Sequence, residues 1–287
     1  MRIGSAEVLR IEEYHGLGFP PKAFLPDWDD RLVEKHLHWM VPNHYAPDEG
    51  RLVGSIHSWL IKLPNLTVLV DTCSGNHKHR PDSPFFSMMN STYLENLSAA
   101  GVDPDDIDYV FCTHLHIDHA GWNTRLLDGK WVPTFRKAKY VVSRTEFERL
   151  LGDETPSDDD LNLIADTIQP IIESGQWLPI DAPFQLCDEL LIEASPGHTQ
   201  GHCHLILSAG DGRAVFSGDI VHHPIQVHIP SWNSAACSET EAAIPTRIKI
   251  LEELSETGTW LMPVHFAKPF CCRIGKAQDE GFICVIE

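Results

Sequence analysis

No stretch of this sequence stays apolar over the about 20 residues that a membrane-spanning helix needs. The amino-terminal MRIGSAEVLRIEEYHG lacks an apolar run of signal-peptide length. Basic residues are scarce: 22 Lys and Arg stand against 41 Asp and Glu, a formal net charge of -19. Such a surface repels polyanions, which argues against nucleic acid or an anionic membrane as partner and favours a neutral or cationic small molecule. The eight cysteines include the adjacent pair Cys271 and Cys272 but no CxxC spacing, so they read as reduced thiols. Repeats, low-complexity tracts and a Gly-x-Ser-x-Gly nucleophile elbow are all missing. The expectation is a cytoplasmic enzyme or binding protein whose 287 residues form one large α/β domain or two small ones.

Histidine is what the sequence has in excess, 17 in all. It is the commonest metal ligand and also a proton shuttle. His15, His36, His38, His44, His77 and His79 are expected at the surface, and the others draw attention by where they fall. Ser55 to Ile61 and Leu66 to Val70 read as strands joined at Pro64-Asn65, the second ending in the polar pair Asp71-Thr72. Helices are expected over Thr92 to Ala100, from about Thr145, over Leu161 to Glu173 and over Glu239 to Leu254. Further strands are expected at 108–112, 139–142, 190–194, 202–207, 214–217 and 260–264. Strands mixed with helices predict a layered α/β fold.

The strand at 108–112 runs straight into Thr113-His114-Leu115-His116-Ile117-Asp118-His119-Ala120-Gly121. In extended chain, residues two apart point the same way, so His114 and His116 can aim at one point. Asp118 and His119 fall where the chain is expected to turn into a helix, with Asp118 as its N-cap, and can serve a second point close by. A histidine-rich loop without ligand is the competing explanation, and three histidines plus an aspartate at these spacings weigh against it. Three later segments also place a candidate ligand at a strand end: Ser195-Pro196-Gly197-His198-Thr199-Gln200-Gly201-His202, Ser217-Gly218-Asp219 and Pro263-Val264-His265.

HxHxDH, GHTxGH, SGD and a late strand-end histidine, in that order, resemble the metallo-β-lactamase superfamily. The resemblance covers roughly residues 52–268. It implies an αββα sandwich, with residues 1–50 as an amino-terminal extension packed on a catalytic domain of residues 51–287. By resemblance His114, His116 and His198 hold one metal, Asp118, His119 and His265 hold a second, and Asp219 bridges the two. The implied cofactor is a pair of divalent ions, Zn²⁺ first, with Mn²⁺, Fe²⁺ and Co²⁺ also suited to imidazole and carboxylate ligands. A hydroxide shared by two ions would serve as nucleophile, with Asp118 relaying a proton. Asp71 reads either as a turn residue or as the partner that orients a ligand histidine.

An aspartate at 219 resembles lactonases, thioesterases, organophosphate hydrolases and RNA-processing nucleases rather than the β-lactamases proper. The acidic charge disfavours the nucleases. Gly121-Trp122-Asn123, Trp131 to Phe135 and Gly218 to Gln226 are similar to the lactonase and methyl parathion hydrolase branch. Quorum-quenching lactonases carry a substrate-binding tyrosine three residues past the bridging aspartate; here that position is His222, either a packing residue or a donor to a substrate carbonyl or phosphoryl oxygen. Trp122, Phe85, Phe86, Met88, Met89, Trp232 and Phe270 read as core or as an apolar pocket wall. Trp39-Met40-Val41-Pro42 is expected to cover the site or to meet a second subunit of a homodimer. The resulting expectation is a dinuclear hydrolase that opens a lactone or cleaves a neutral ester. An organophosphate or aryl-ester hydrolase, an iron-dependent oxidoreductase and a zinc-binding scaffold are the alternatives.

Overall fold

The short apolar runs become strands of two large mixed sheets in the computed structural model, which describes residues 1–277 and 281–285. The first sheet has the order Arg2–Ile3, Ala6–Leu17, Arg51–Leu63, Leu66–Val70, Tyr109–Phe111, Lys139–Ser143, Trp177–Ile180, with Tyr45–Ala46 paired to Arg51–Leu63. Arg51–Leu63 and Leu66–Val70 are antiparallel across the Pro64-Asn65 turn. From Leu66–Val70 onward the neighbours are parallel. Parallel strands are covered on both faces, which is why 109–111 and 140–143 are nearly continuous apolar runs. Parallel pairing also brings the carboxyl ends of Leu66–Val70 and Tyr109–Phe111 to one edge, where Asp71 and the His114 segment begin.

The second sheet runs Phe184–Cys187, Leu190–Ala194, Cys203–Ala209, Gly212–Gly218, Trp260–Pro263, Cys272–Lys276, Phe282–Val285. Gly212–Gly218 and Trp260–Pro263 are parallel, with Gly218 opposite Pro263 and a register shift after Phe216. Asp219 and His265 therefore leave the sheet at the same edge. The chain divides into two units: Met1–Tyr14 with Ile56–Phe184, and His15–Ser55 with Gln185–Glu287. The stretch 1–50 is thus shared between them. Each unit has its own apolar core, one around Leu69, Val110, Tyr140 and Leu163, the other around Val215, Ile250, Leu254 and Leu261. Thr240–Thr257 faces the latter with Ala243, Arg247, Ile250, Leu251 and Leu254, and stops at Gly258 in the left-handed conformation.

Two expectations change in detail. The helix over 161–173 is a helical run interrupted by a π turn at Ile164–Ile168. There the carbonyl of Asp166 accepts from Lys78 Nζ (2.9 Å) and Thr124 Oγ1 (2.5 Å) instead of serving the ladder alone. The Asp166 carboxylate takes both guanidinium nitrogens of buried Arg80. No α-helix starts at Asp118; the chain passes through turns into a single 3-10 turn, Gly121–Asn123, because Gly121 and Trp122 bond back to Cys73 and Thr72. Of the histidines expected at the surface, His36 and His44 are buried, packed among Trp39, His223 and His228.

Candidate metal centre

In the first unit the four residues of HxHxDH gather at the end of Tyr109–Phe111. The rings of His114 and His116 lie 4.5 Å apart and those of His114 and His119 4.0 Å apart. Asp118 Oδ1 stands 3.8 Å from His119 Nε2. Asp71 organises them. It sits at φ 56°, and its carboxylate accepts from Thr113 N (2.8 Å), from Thr113 Oγ1 (3.0 Å) and from His119 Nδ1 (3.0 Å). With its hydroxyl proton on Asp71, Thr113 Oγ1 accepts the Nδ1 proton of His114 at 3.0 Å. Both rings are left with an Nε2 lone pair, the form that binds a metal. Glu146, fully buried at the start of helix Arg144–Gly152, accepts from the amide of Leu115 between His114 and His116 (3.1 Å) and from Arg149. Burial holds the His116 ring below its ordinary pKa, against the pull of Asp118 and Glu146.

In the second unit Asp219 is the centre. Its Oδ2 lies 3.2 Å from His198 Nε2 and 3.1 Å from His222 Nε2, and its Oδ1 lies 3.2 Å from His265 Nε2. The backbone amide of Asp219 donates to His202 Nε2 (3.1 Å), so the His202 proton is on Nδ1, directed at Ser195 Oγ (2.8 Å). His265 Nδ1 donates to the carbonyl of Ser55 (3.0 Å), which leaves a lone pair on Nε2 facing a carboxylate oxygen. Two acceptors at that distance need a positive centre between them, a proton or a metal cation. Burial also depresses His222, whose Nε2 has Ser234 Oγ as a second neighbour at 3.3 Å. Its ring packs edge-on against Phe24 and stacks on His265. Each unit thus presents buried imidazole and carboxylate groups of the kind that fits a divalent cation.

A sequence profile of the metallo-β-lactamase superfamily matches residues 51–256. The chain belongs to the metallo-β-lactamase superfamily. Its curated relatives include an N-acyl homoserine lactonase of Bacillus thuringiensis, 27% identical over 119 residues, 42% of this chain and 40% of that one. The chain therefore spans about two-fifths of the length of that relative. Among solved structures, the hydrolase AbOPH superposes with a TM-score of 0.82 at 22% identity, over 100% of this chain and 96% of the other. AidC, a dizinc quorum-quenching lactonase, gives 0.77 at 21% identity with the same coverage. These likenesses show the metallo-β-lactamase fold that the motifs implied.

Several residues with a part in this superfamily site escape a reading of the sequence. His202 stands in the GHTxGH motif, yet only the fold shows it holding the Asp219 amide. Glu146 reads as an ordinary helix residue. Of the expected pocket aromatics, Trp122 and Trp232 are buried, Trp122 stacking on Tyr93 and Trp232 packing against Trp28. Phe85 and Met88 are exposed. Trp39 stacks on His228 at 4.6 Å and Met40 is fully buried. Among the described residues, no helix is long and apolar enough to cross a membrane.

Proposed function

We propose that the chain is a dinuclear metal hydrolase in which His114, His116 and His198 hold one ion, Asp118, His119 and His265 hold the other, and Asp219 bridges them. The observation that carries this reading is the Asp219 carboxylate, which turns one oxygen to His198 and the other to His265. A bridging ligand needs that division. Zn²⁺ is the assigned metal, with Mn²⁺, Fe²⁺ and Co²⁺ as the ions the same donors accept.

The substrate class is a lactone or another neutral carboxylic ester. It is supported by the similarity to N-acyl homoserine lactonases and by an acidic chain that disfavours anions. When bound, the ions supply an activated water and a Lewis acid for the substrate carbonyl. Asp118, beside His119 Nε2, takes the proton released by the water and returns it to the departing alkoxide. His222 keeps its Nε2 proton at Asp219 Oδ2 and turns it to the carbonyl oxygen as negative charge develops there. Buried Arg247 fixes the loop that carries His222, donating to the carbonyls of Ile220, Pro230 and Trp232. Because His222 replaces the lactonases' tyrosine, phosphotriesters and aryl esters form the second substrate class.

Elemental analysis followed by a panel of lactones, aryl esters and phosphotriesters tests the proposal. Two equivalents of metal and a kcat/KM highest for a lactone are expected. Asp219→Ala should lose metal and turnover together. His222→Phe should keep both ions and lose about 10²-fold in kcat. Undiminished turnover in metal-free protein removes the assignment.

A further inference from the structure

Glu13 lies in the strand Ala6–Leu17, far in sequence from every ligand, and its side chain is 9% exposed. Its carboxylate accepts four hydrogen bonds: from the amides of Ser74 (2.7 Å) and Gly75 (3.0 Å), from Trp122 Nε1 (2.6 Å) and from Ser91 Oγ (3.3 Å). Burial raises its pKa, whereas the Ser74, Trp122 and Gly75 donors oppose that rise. The two amides and the indole N–H can only donate, while the Ser91 hydroxyl is shared with Asn76 Oδ1 (3.2 Å), so the ionised form is the one the pocket is built for.

The donors belong to the two segments that form the first unit's half of the site. Residues 71–75 and 119–122 run against each other, with Thr72 N donating to His119 O (2.6 Å), Gly121 N to Cys73 O (2.7 Å) and Trp122 N to Thr72 O (2.8 Å). They touch so closely that a Cβ on Gly121 would lie 1.8 Å from the carbonyl oxygen of Ser74. The first segment is strained: Asp71 and Cys73 both take left-handed backbone angles, φ 56° and 50°. Such a residue persists only where its surroundings hold it. Asp71 is the residue that orients His119 and Thr113.

We infer that Glu13 is a positioning residue for the metal centre, clamping the 74–75 turn to Trp122 so that strained Asp71 stays on His119. The inference rests on the dinuclear reading above, since His119 belongs to the second ion's ligands. It gives the amino-terminal strand a role in the site beyond covering the sheet edge. Loss of the clamp weakens the second ion more than the first, because His119 bonds Asp71 directly, whereas His114 reaches it only through Thr113 and the amide between His114 and His116 is held independently by Glu146.

Zinc competition against a chromophoric chelator, resolved into two binding steps on the full-length protein, tests the inference. Glu13→Gln keeps the shape but replaces one acceptor oxygen by a donor facing N–H groups. One of the two binding steps should lose 10-fold or more in affinity, in line with the about 10–100-fold losses known for outer ligand partners, and the other should change less. Trp122→Phe removes one of the four donors, keeps the ring, and should shift the same step by a smaller factor; it carries the test if Glu13→Gln does not fold. A lower melting temperature with both zinc steps at wild-type affinity in these variants overturns the inference. Wild-type protein that binds no second zinc overturns the dinuclear reading itself, and the inference with it.

Discussion

In the first unit the histidines are set by buried carboxylates: Asp71 takes the Nδ1 proton of His119 and, through Thr113, governs His114, while Glu146 holds the amide between His114 and His116. In the second unit the partners are neutral. His265 donates to the carbonyl of Ser55, His198 has the Cys237 thiol at 3.6 Å, and His202 has the Ser195 hydroxyl. Asp219 is the carboxylate that the rings of His198, His222 and His265 share. A carboxylate partner both orients an imidazole and raises its basicity, whereas a carbonyl, thiol or hydroxyl mainly orients it. The first unit therefore presents strongly braced imidazoles, and the second presents a carboxylate that, in the proposed dinuclear reading, would be the bridge. Burial depresses His116 in the first unit, and the second unit holds further histidines depressed in the same way. His44, His204, His223 and His228, all in the second unit, are pushed down by burial to about 4, 4, 3 and 4.

The largest expected effect lies in the first unit. Gly121→Ala should destabilise the protein by more than about 3 kcal/mol, because the added methyl meets the Ser74 backbone and neither chain has room to retreat. Chemical denaturation measures it, and a loss under 1 kcal/mol (roughly, the range of a tolerated core change) would show that the two segments are looser than their hydrogen bonds imply. Next comes Asp71→Asn, which turns an amide donor toward His119. Zinc competition should show about 10–100-fold weaker binding.

Acidification comes third and should act on the second unit. Each depressed histidine is neutral in the folded chain and protonates more readily in the unfolded one. Its stabilising contribution is complete above pH about 6.5 and falls away as the pH drops toward 4, by up to about 1.4 kcal/mol per pH unit for each fully buried ring. Hydrogen exchange between pH 7 and 5 should therefore show amides of 185–277 losing protection before those of 56–184; simultaneous loss would break the comparison. The smallest effect is Ser234→Ala, which removes a hydroxyl 3.3 Å from His222 Nε2 and should cost about 1 kcal/mol without changing the zinc content. Zinc loss as deep as that of Asp71→Asn would mean that neutral partners matter as much as carboxylates.

The strands at 66–70, 109–111, 190–194 and 260–263 were readable from their apolar runs, and so was the site material at their ends. The π turn was not readable, because its cause is a lysine more than 80 residues away (Lys78 to Asp166 is a separation of 88). Glu13 and Glu146 carry no signal in the sequence, since nothing local distinguishes a carboxylate that accepts from backbone amides from one in water. His36 and His44 were misjudged for a related reason: their burial depends on Trp39, His223 and His228, which only the folded chain brings beside them.

The sequence by itself determined which side chains are candidates for the chemistry and that they sit at strand ends, because ligand type, two-residue alternation and apolar runs are local properties. Only the tertiary structure decided that Asp71 faces His119, that Asp219 divides its oxygens between His198 and His265, and that Glu13 ties two distant turns together. Those relations depend on strand order and parallel pairing, which bring together residues separated by up to 109 positions, and no local pattern encodes that proximity.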